Sequence, residues 1–101
     1  MIFDEVDAGI GGAVAEIVGR KLKQLASFHQ ILCVTHLAQI AAFADNHFTI
    51  EKEERRGATR SRASALKVAD RAAEVARMLG GDDRSDKFLR AARELIERAR
   101  Q

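Results

Sequence analysis

The order of apolar and polar positions divides the chain into stretches of different period. Met1 to Phe3 is apolar and runs straight into Asp4-Glu5, the pattern of a short buried strand that ends on carboxylates. A glycine-rich stretch, Ala8-Gly9-Ile10-Gly11-Gly12, follows. Beyond it Ala13, Val14, Ile17, Val18, Leu22 and Leu25 recur at helical spacing, which predicts an amphipathic helix of about 15 residues with these side chains as its apolar face. Gln30 to Thr35 is a continuously apolar, β-branched run bounded by polar residues, the signature of a strand covered on both faces. Strand, helix and strand with short links predict a parallel βαβ unit.

The remainder changes period twice. Leu37 to Ala44 reads as a short helix. His47 to Glu53 and Thr59 to Leu66 alternate loosely around Glu54-Arg55-Arg56-Gly57, which predicts a β-hairpin with mostly polar side chains. Asp70 to Leu79 reads as a helix stopped by a Gly80-Gly81 cap. Ser85 is placed to cap a last helix in which Phe88, Leu89, Ala92, Leu95, Ile96 and Ala99 form one apolar stripe.

Composition bounds what such a chain can be. Its 101 residues make one small domain or part of one. The longest uncharged runs, Ala8 to Ala15 and Gln30 to His36, fall far short of the ~20 apolar residues that span a bilayer. Met1 is followed closely by Asp4 and Glu5 and not by a basic leader, so the expectation is a cytoplasmic protein without a membrane partner. The single cysteine, Cys33, has no internal disulfide partner and suits a reducing compartment. Residues 1–54 carry 4 basic and 8 acidic side chains, whereas residues 55–101 carry 13 basic and 7 acidic. That asymmetry could set the second half against an anion such as nucleic acid, but basic residues scattered among acids favour a solvated face.

The chemistry concentrates at the expected strand ends. In an open parallel sheet, ligands bind at the carboxyl ends of strands, and both Asp4-Glu5 and Thr35-His36 stand there. A carboxylate at the end of a buried strand is where a P-loop nucleotidase holds Mg²⁺, and a second carboxylate beside it can deprotonate an attacking water. Taken alone, such a pair is equally often two exposed acids where a strand leaves the sheet. A lone histidine after a strand is usually structural too; order and spacing place His36 on the same rim as Asp4 and Glu5. Cys33, inside its apolar run, reads as a buried thiol and not as half of a Cys-His pair. His29, His36 and His47 lack zinc-site spacing. Arg55, Arg56, Arg60 and Arg62 on the hairpin could meet DNA phosphates, but no aromatic residue after Phe48 is there to stack on a base.

Ile2-Phe3-Asp4-Glu5-Val6-Asp7-Ala8-Gly9-Ile10-Gly11-Gly12, followed by Cys33-Val34-Thr35-His36-Leu37-Ala38-Gln39-Ile40-Ala41, resembles the Walker B, D-loop and switch-histidine motifs of ATP-binding-cassette ATPases of the chromosome-maintenance type, most closely their bacterial DNA-repair members. Ser61-Arg62, the polar hairpin and Ala76-Arg77-Met78-Leu79-Gly80-Gly81 extend the resemblance over almost the whole chain. It implies an α/β fold, a partial P-loop NTPase lobe with a parallel βαβ unit, a β-hairpin and C-terminal helices. It further implies that Asp4 helps to hold Mg²⁺ through water, that Glu5 is the catalytic base, and that Asp7 lies in the loop facing a second ATPase head of a homodimer. His36 would contact the γ-phosphate of ATP, and Gly9, Gly11 and Gly12 would shape the turn beside the nucleotide. The implied activity is ATP binding and hydrolysis in recombinational repair of DNA double-strand breaks, with broken DNA ends as partner and a nucleoid-associated location.

The departures bear on activity. No Gly-x-x-x-x-Gly-Lys-[Ser/Thr] phosphate loop occurs, and the signature motif and long coiled coil of the family are also missing from these residues. Ala38 stands where relatives commonly carry proline. The expectation is that residues 1–101 are the C-terminal part of an ATPase head and are inactive alone. Two alternatives stay open: a non-catalytic nucleic-acid or partner-binding α/β module, and a head fragment of another chromosome-maintenance ATPase.

Overall fold

The computed structural model describes residues 1–4, 9–80 and 86–100. Its elements run β1 (Ile2–Asp4), α1 (Gly12–Leu25), β2 (Leu32–Val34), α2 (Ala38–Ala41), β3 (Phe48–Arg55), β4 (Ala58–Ala65), α3 (Val68–Met78) and α4 (Asp86–Ala99). The described residues form an α/β structure with two two-stranded sheets, β1 beside β2 and β3 beside β4. β1 and β2 are parallel, with Ile2 beside Leu32, Phe3 beside Cys33 and Asp4 beside Val34. The expected βαβ unit is therefore present. Its start is pinned by the Met1 ammonium, which donates to the Gln30 carbonyl at 2.8 Å.

The expected burial of these strands is not found. Phe3 and Cys33 are half-buried, but Ile2 is 74% exposed and Leu32 54% exposed. Exposed Ile2, Leu32 and Val34 alternate with half-buried Phe3 and Cys33, so one face of this two-stranded sheet stays open to solvent among the described residues. Continuous apolarity in β2 describes a larger sheet than these residues build.

Helix α1 also buries a face other than the one its periodicity predicts. Ala15 and Gly19 are buried, while Val14, Ile17 and Leu25 are exposed. The cause is shape. A Cβ on Gly19 would overlap the Phe43 ring, so the glycine lets α1 approach α2 more closely than any side chain would allow. The Arg20 guanidinium sits 5.2 Å from the Phe43 ring centroid at the edge of this contact, and α1 is tied to α4 (Asp86–Ala99) where Arg98 Nε donates to Glu16 Oε1 at 3.1 Å.

Helix α2 is shorter than the predicted Leu37 to Ala44. It tightens after Ala41 into turns in which Phe43 N–H donates to the Ile40 carbonyl and Ala44 N–H to the Ala41 carbonyl, both at 3.1 Å. That tightening swings Phe43 into the core, where it joins Ala38, Ala42, Val75, Ala76, Ala92, Leu95 and Ala99. Phe88, Leu89 and Ile96 pack around this cluster, so the predicted stripe of α4 is the buried one. Alanine dominates the core, which brings α2, α3 and α4 close together.

Helix α3 begins at Val68, earlier than expected, and ends at Met78, with Gly80 just past its C-cap Leu79. Gly80 takes φ +97° while its N–H donates to the Arg77 carbonyl at 3.0 Å, the inner bond of a glycine C-cap. Gly81 and Ser85, the other residues expected to shape these helix ends, lie outside the described residues.

The hairpin turn is smaller than its sequence suggests. Glu54 and Arg55 belong to β3, and Arg56-Gly57 alone connect the strands at φ 51° and 78°, the left-handed pair of a type I′ turn. Replacing Gly57 by Ala forces a Cβ into that region at about 1 kcal/mol. Amides across the hairpin are expected to exchange with solvent about 5-fold faster, while those of α4 are unchanged. Equal exchange in both proteins would show that the turn does not hold the hairpin register.

Candidate functional site

The parallel ladder orders the rim. Asp4 closes β1 directly beside Val34, and the chain beyond Val34 passes through Thr35 to His36. Parallel pairing brings both carboxyl ends to one side, so Asp4 and His36 share that rim, and both are exposed. His36 sits in a sharp bend. Leu37 N–H donates to Thr35 Oγ1 at 3.0 Å, so the threonine hydroxyl closes the turn that carries the imidazole.

The glycine stretch and the histidine string meet through a side chain that the sequence did not single out. A Cβ on Gly12 would lie 3.3 Å from Gln39 Nε2, so the first turn of α1 is tucked against the helix that follows His36. Gln39 thereby links the two halves of the rim. Gly9 takes φ +76°, where glycine is the favoured residue, whereas Gly11 is extended and has open space around it. Glu5 and Asp7, expected as catalytic base and dimer-facing carboxylate, lie outside the described residues. Cys33 is half-buried between the strands, short of the fully buried thiol expected.

The hairpin register decides how the arginines present themselves. Arg62 stands opposite Glu51 and Arg60 opposite Glu53, so the two strand arginines face acids across the ladder. Opposite charges in such positions support pairing and leave little net field for a phosphate backbone. Arg55 and Arg56, at the tip, have no acid directly opposite.

A feature without a sequence signal lies at the hairpin base. His47 and Arg71 hold buried side-chain nitrogens that have no hydrogen-bond partner among the described residues. Burial holds the His47 imidazole below its ordinary pKa, and the Arg71 charge adds to that push against the opposing effect of Glu74.

No family model matches the chain. Relatives, however, match it from end to end. It is 50% identical over 99 residues to the DNA repair protein RecN of Mycobacterium bovis, covering 98% of this chain. It is 48% identical over 97 residues to that of Xylella fastidiosa, covering 96%, and 42% identical over 101 residues to that of Bacillus subtilis, covering all of it. The chain belongs to the RecN family. It spans 16 to 18% of the length of these curated relatives, and so corresponds to a segment of RecN. Agreement over the whole chain favours RecN over other chromosome-maintenance heads. Among the described residues of this RecN segment, no helix is long and apolar enough to cross a membrane.

Proposed function

We propose that this RecN segment is the Walker B to C-terminal part of an ATP-binding-cassette head with a P-loop NTPase fold. In the parent protein it would serve recombinational repair of DNA double-strand breaks through ATP binding and hydrolysis, close to the nucleoid in the cytoplasm. The observation that carries the reading is the parallel β1–β2 pairing, which gives Asp4 and His36 one rim in a chain whose relatives are named DNA repair proteins.

The donor set is compatible with Mg²⁺ and ATP. Among the described residues no group of three or more His, Cys, Asp or Glu side chains could enclose a metal. A single exposed carboxylate, Asp4, suits Mg²⁺, which keeps most of its waters and takes oxygens from phosphate. Bound Mg²⁺-ATP supplies a charge-neutralised phosphoryl group for attack. Asp4 would accept hydrogen bonds from waters around the cation, and Glu5 would take the proton of the attacking water. The His36 imidazole would donate an N–H to a γ-phosphate oxygen. Gly9, Gly11 and Gly12 would bring backbone close to the nucleotide, and Asp7 would face a second head in a homodimer.

The exposed Ile2, Leu32 and Val34 support a further inference about the domain. They are the faces that a phosphate-loop lobe elsewhere in the parent would cover, so residues 1–101 are inactive alone. The test is Mg²⁺-ATP hydrolysis by this chain, alone and mixed with a separately expressed phosphate-loop lobe of its parent. Activity is expected only in the mixture. Hydrolysis by the 101 residues alone would overturn the split-site reading, and a folded, inactive mixture would favour a non-catalytic binding module. The charge-matched Arg60 and Arg62 weigh against that module as a general contact for broken DNA ends.

A further inference from the structure

The turn that carries His36 bridges two elements that are held independently of it. Upstream, β2 ends at Val34, which stands beside Asp4 in the parallel ladder. Downstream, α2 begins at Ala38 and lies against the small face of α1. A Cβ on Gly12 would be 3.3 Å from Gln39 Nε2, and a Cβ on Gly19 would be 3.2 Å from the Gln39 carbonyl oxygen. Ala15, on the same helical face as these two glycines, is fully buried. Both ends of the bridge are thus set by pairing and packing. Only the path through Thr35, His36 and Leu37 remains to be fixed.

A side chain fixes that path. Leu37 is the N-cap of α2, extended at φ −95° and ψ 124°, and its carbonyl accepts from Ile40 N–H and Ala41 N–H, both at 3.1 Å. Its own N–H precedes the helix and has no acceptor within it. Thr35 Oγ1 supplies one, accepting from Leu37 N–H at 3.0 Å. The bond closes a ring from one threonine to the second residue beyond it, with His36 as the residue inside. Thr35 and Leu37 are half-buried, whereas His36 is exposed. An exposed side chain is packed on few sides, so the backbone beneath it carries much of its placement.

We propose that Thr35 is a positioning residue for His36, its hydroxyl holding the turn in the form that sets the imidazole on the rim shared with Asp4. The assignment rests on the reading of His36 as a donor to the γ-phosphate and names the group that keeps this donor in place. What matters at position 35 is the acceptor oxygen. Valine has the shape and β-branching of threonine but no acceptor, while serine keeps the acceptor and loses only a methyl. A donor must lie close to its mark to act, and a displacement of about 1 Å from a substitution away from the chemistry costs up to about 10²-fold in rate.

The experiment compares single-turnover ATP hydrolysis at saturating nucleotide by a full-length RecN-type protein and four variants in this segment: Thr35→Val, Thr35→Ser, His36→Ala and the double variant Thr35→Val/His36→Ala. Thr35→Val is expected to slow hydrolysis about 10-fold, and Thr35→Ser to stay within about 2-fold of the parent. In the His36→Ala background Thr35→Val is expected to have no further effect, because a residue that acts through the imidazole then has nothing left to position. A folding defect would instead add to the loss of His36→Ala and counts against the proposal. On the 101-residue chain, hydrogen exchange at the Leu37 amide is expected to rise about 5-fold in Thr35→Val and to return to the parent rate in Thr35→Ser. The proposal is overturned if Thr35→Val hydrolyses ATP as the parent does, if it slows His36→Ala by the same factor, or if serine does not preserve the rate. Unchanged hydrolysis by His36→Ala alone would remove the histidine from the γ-phosphate. That result brings down the reading on which the proposal rests, and the one variant tells the two failures apart.

Discussion

A full-length RecN-type protein carrying Glu5→Gln in this segment is expected to bind ATP normally and to lose about 10²–10⁴-fold in turnover. Glutamine keeps the size and hydrogen-bonding reach of glutamate but has no basic oxygen for the proton of the attacking water. Asp4, the proposed partner of Mg²⁺, is untouched, so on this proposal nucleotide binding persists and the loss falls on the chemical step. The outcome is read by nucleotide binding and single-turnover hydrolysis measured on the same preparation, because a defect confined to turnover is what separates a missing base from a damaged pocket. Normal hydrolysis by this variant would remove Glu5 from the role of base. Reduced nucleotide binding would instead place it among the groups that hold the cation.

Phe43→Ala is expected to be the most damaging single change in the core, at about 3–5 kcal/mol. Phe43 is 5% exposed in a cluster in which five of the other seven buried residues are alanines, so those small side chains cannot fill the space it leaves. Against the about 5–15 kcal/mol that holds a typical domain together, that loss would leave a chain of this size marginal. Gly19 supplies the control. Gly19→Ala alone pushes a methyl into the Phe43 ring and is expected to cost about 1–3 kcal/mol. In the double variant the methyl enters the vacated space, and the added alanine favours the helix, so the two costs should fall well short of adding. Denaturant unfolding of the four proteins measures the coupling. Additive losses within about 0.5 kcal/mol would show that the close approach of α1 to Phe43 is not what seats this helix.

The candidate rim was partly legible before any coordinates. Asp4 and His36 could be placed at strand ends because a βαβ unit with short links admits one handed, parallel arrangement. Gln39 was not legible as the link between Gly12 and the histidine helix, because its contact joins segments that only packing brings together. His47 and Arg71 gave no signal either. Neither residue type is unusual in a polar hairpin or at the start of a helix, and the burial of their side-chain nitrogens is set by packing that local sequence does not encode.

Periodicity, glycine placement and local charge determined the element order, the βαβ unit, the hairpin, the glycine stop of α3 and the buried stripe of α4, since each follows from interactions among residues close in the chain. Tertiary structure alone decided which face α1 buries, how far β1 and β2 are covered, and where the core lies. Hydrophobicity ranks the faces of a helix by chemistry, but a close approach is chosen by shape. Gly19 against Phe43 turns the smallest face of α1 inward and leaves Val14 and Ile17 outside, and a sheet of only two strands exposes Ile2 and Leu32 however apolar they are.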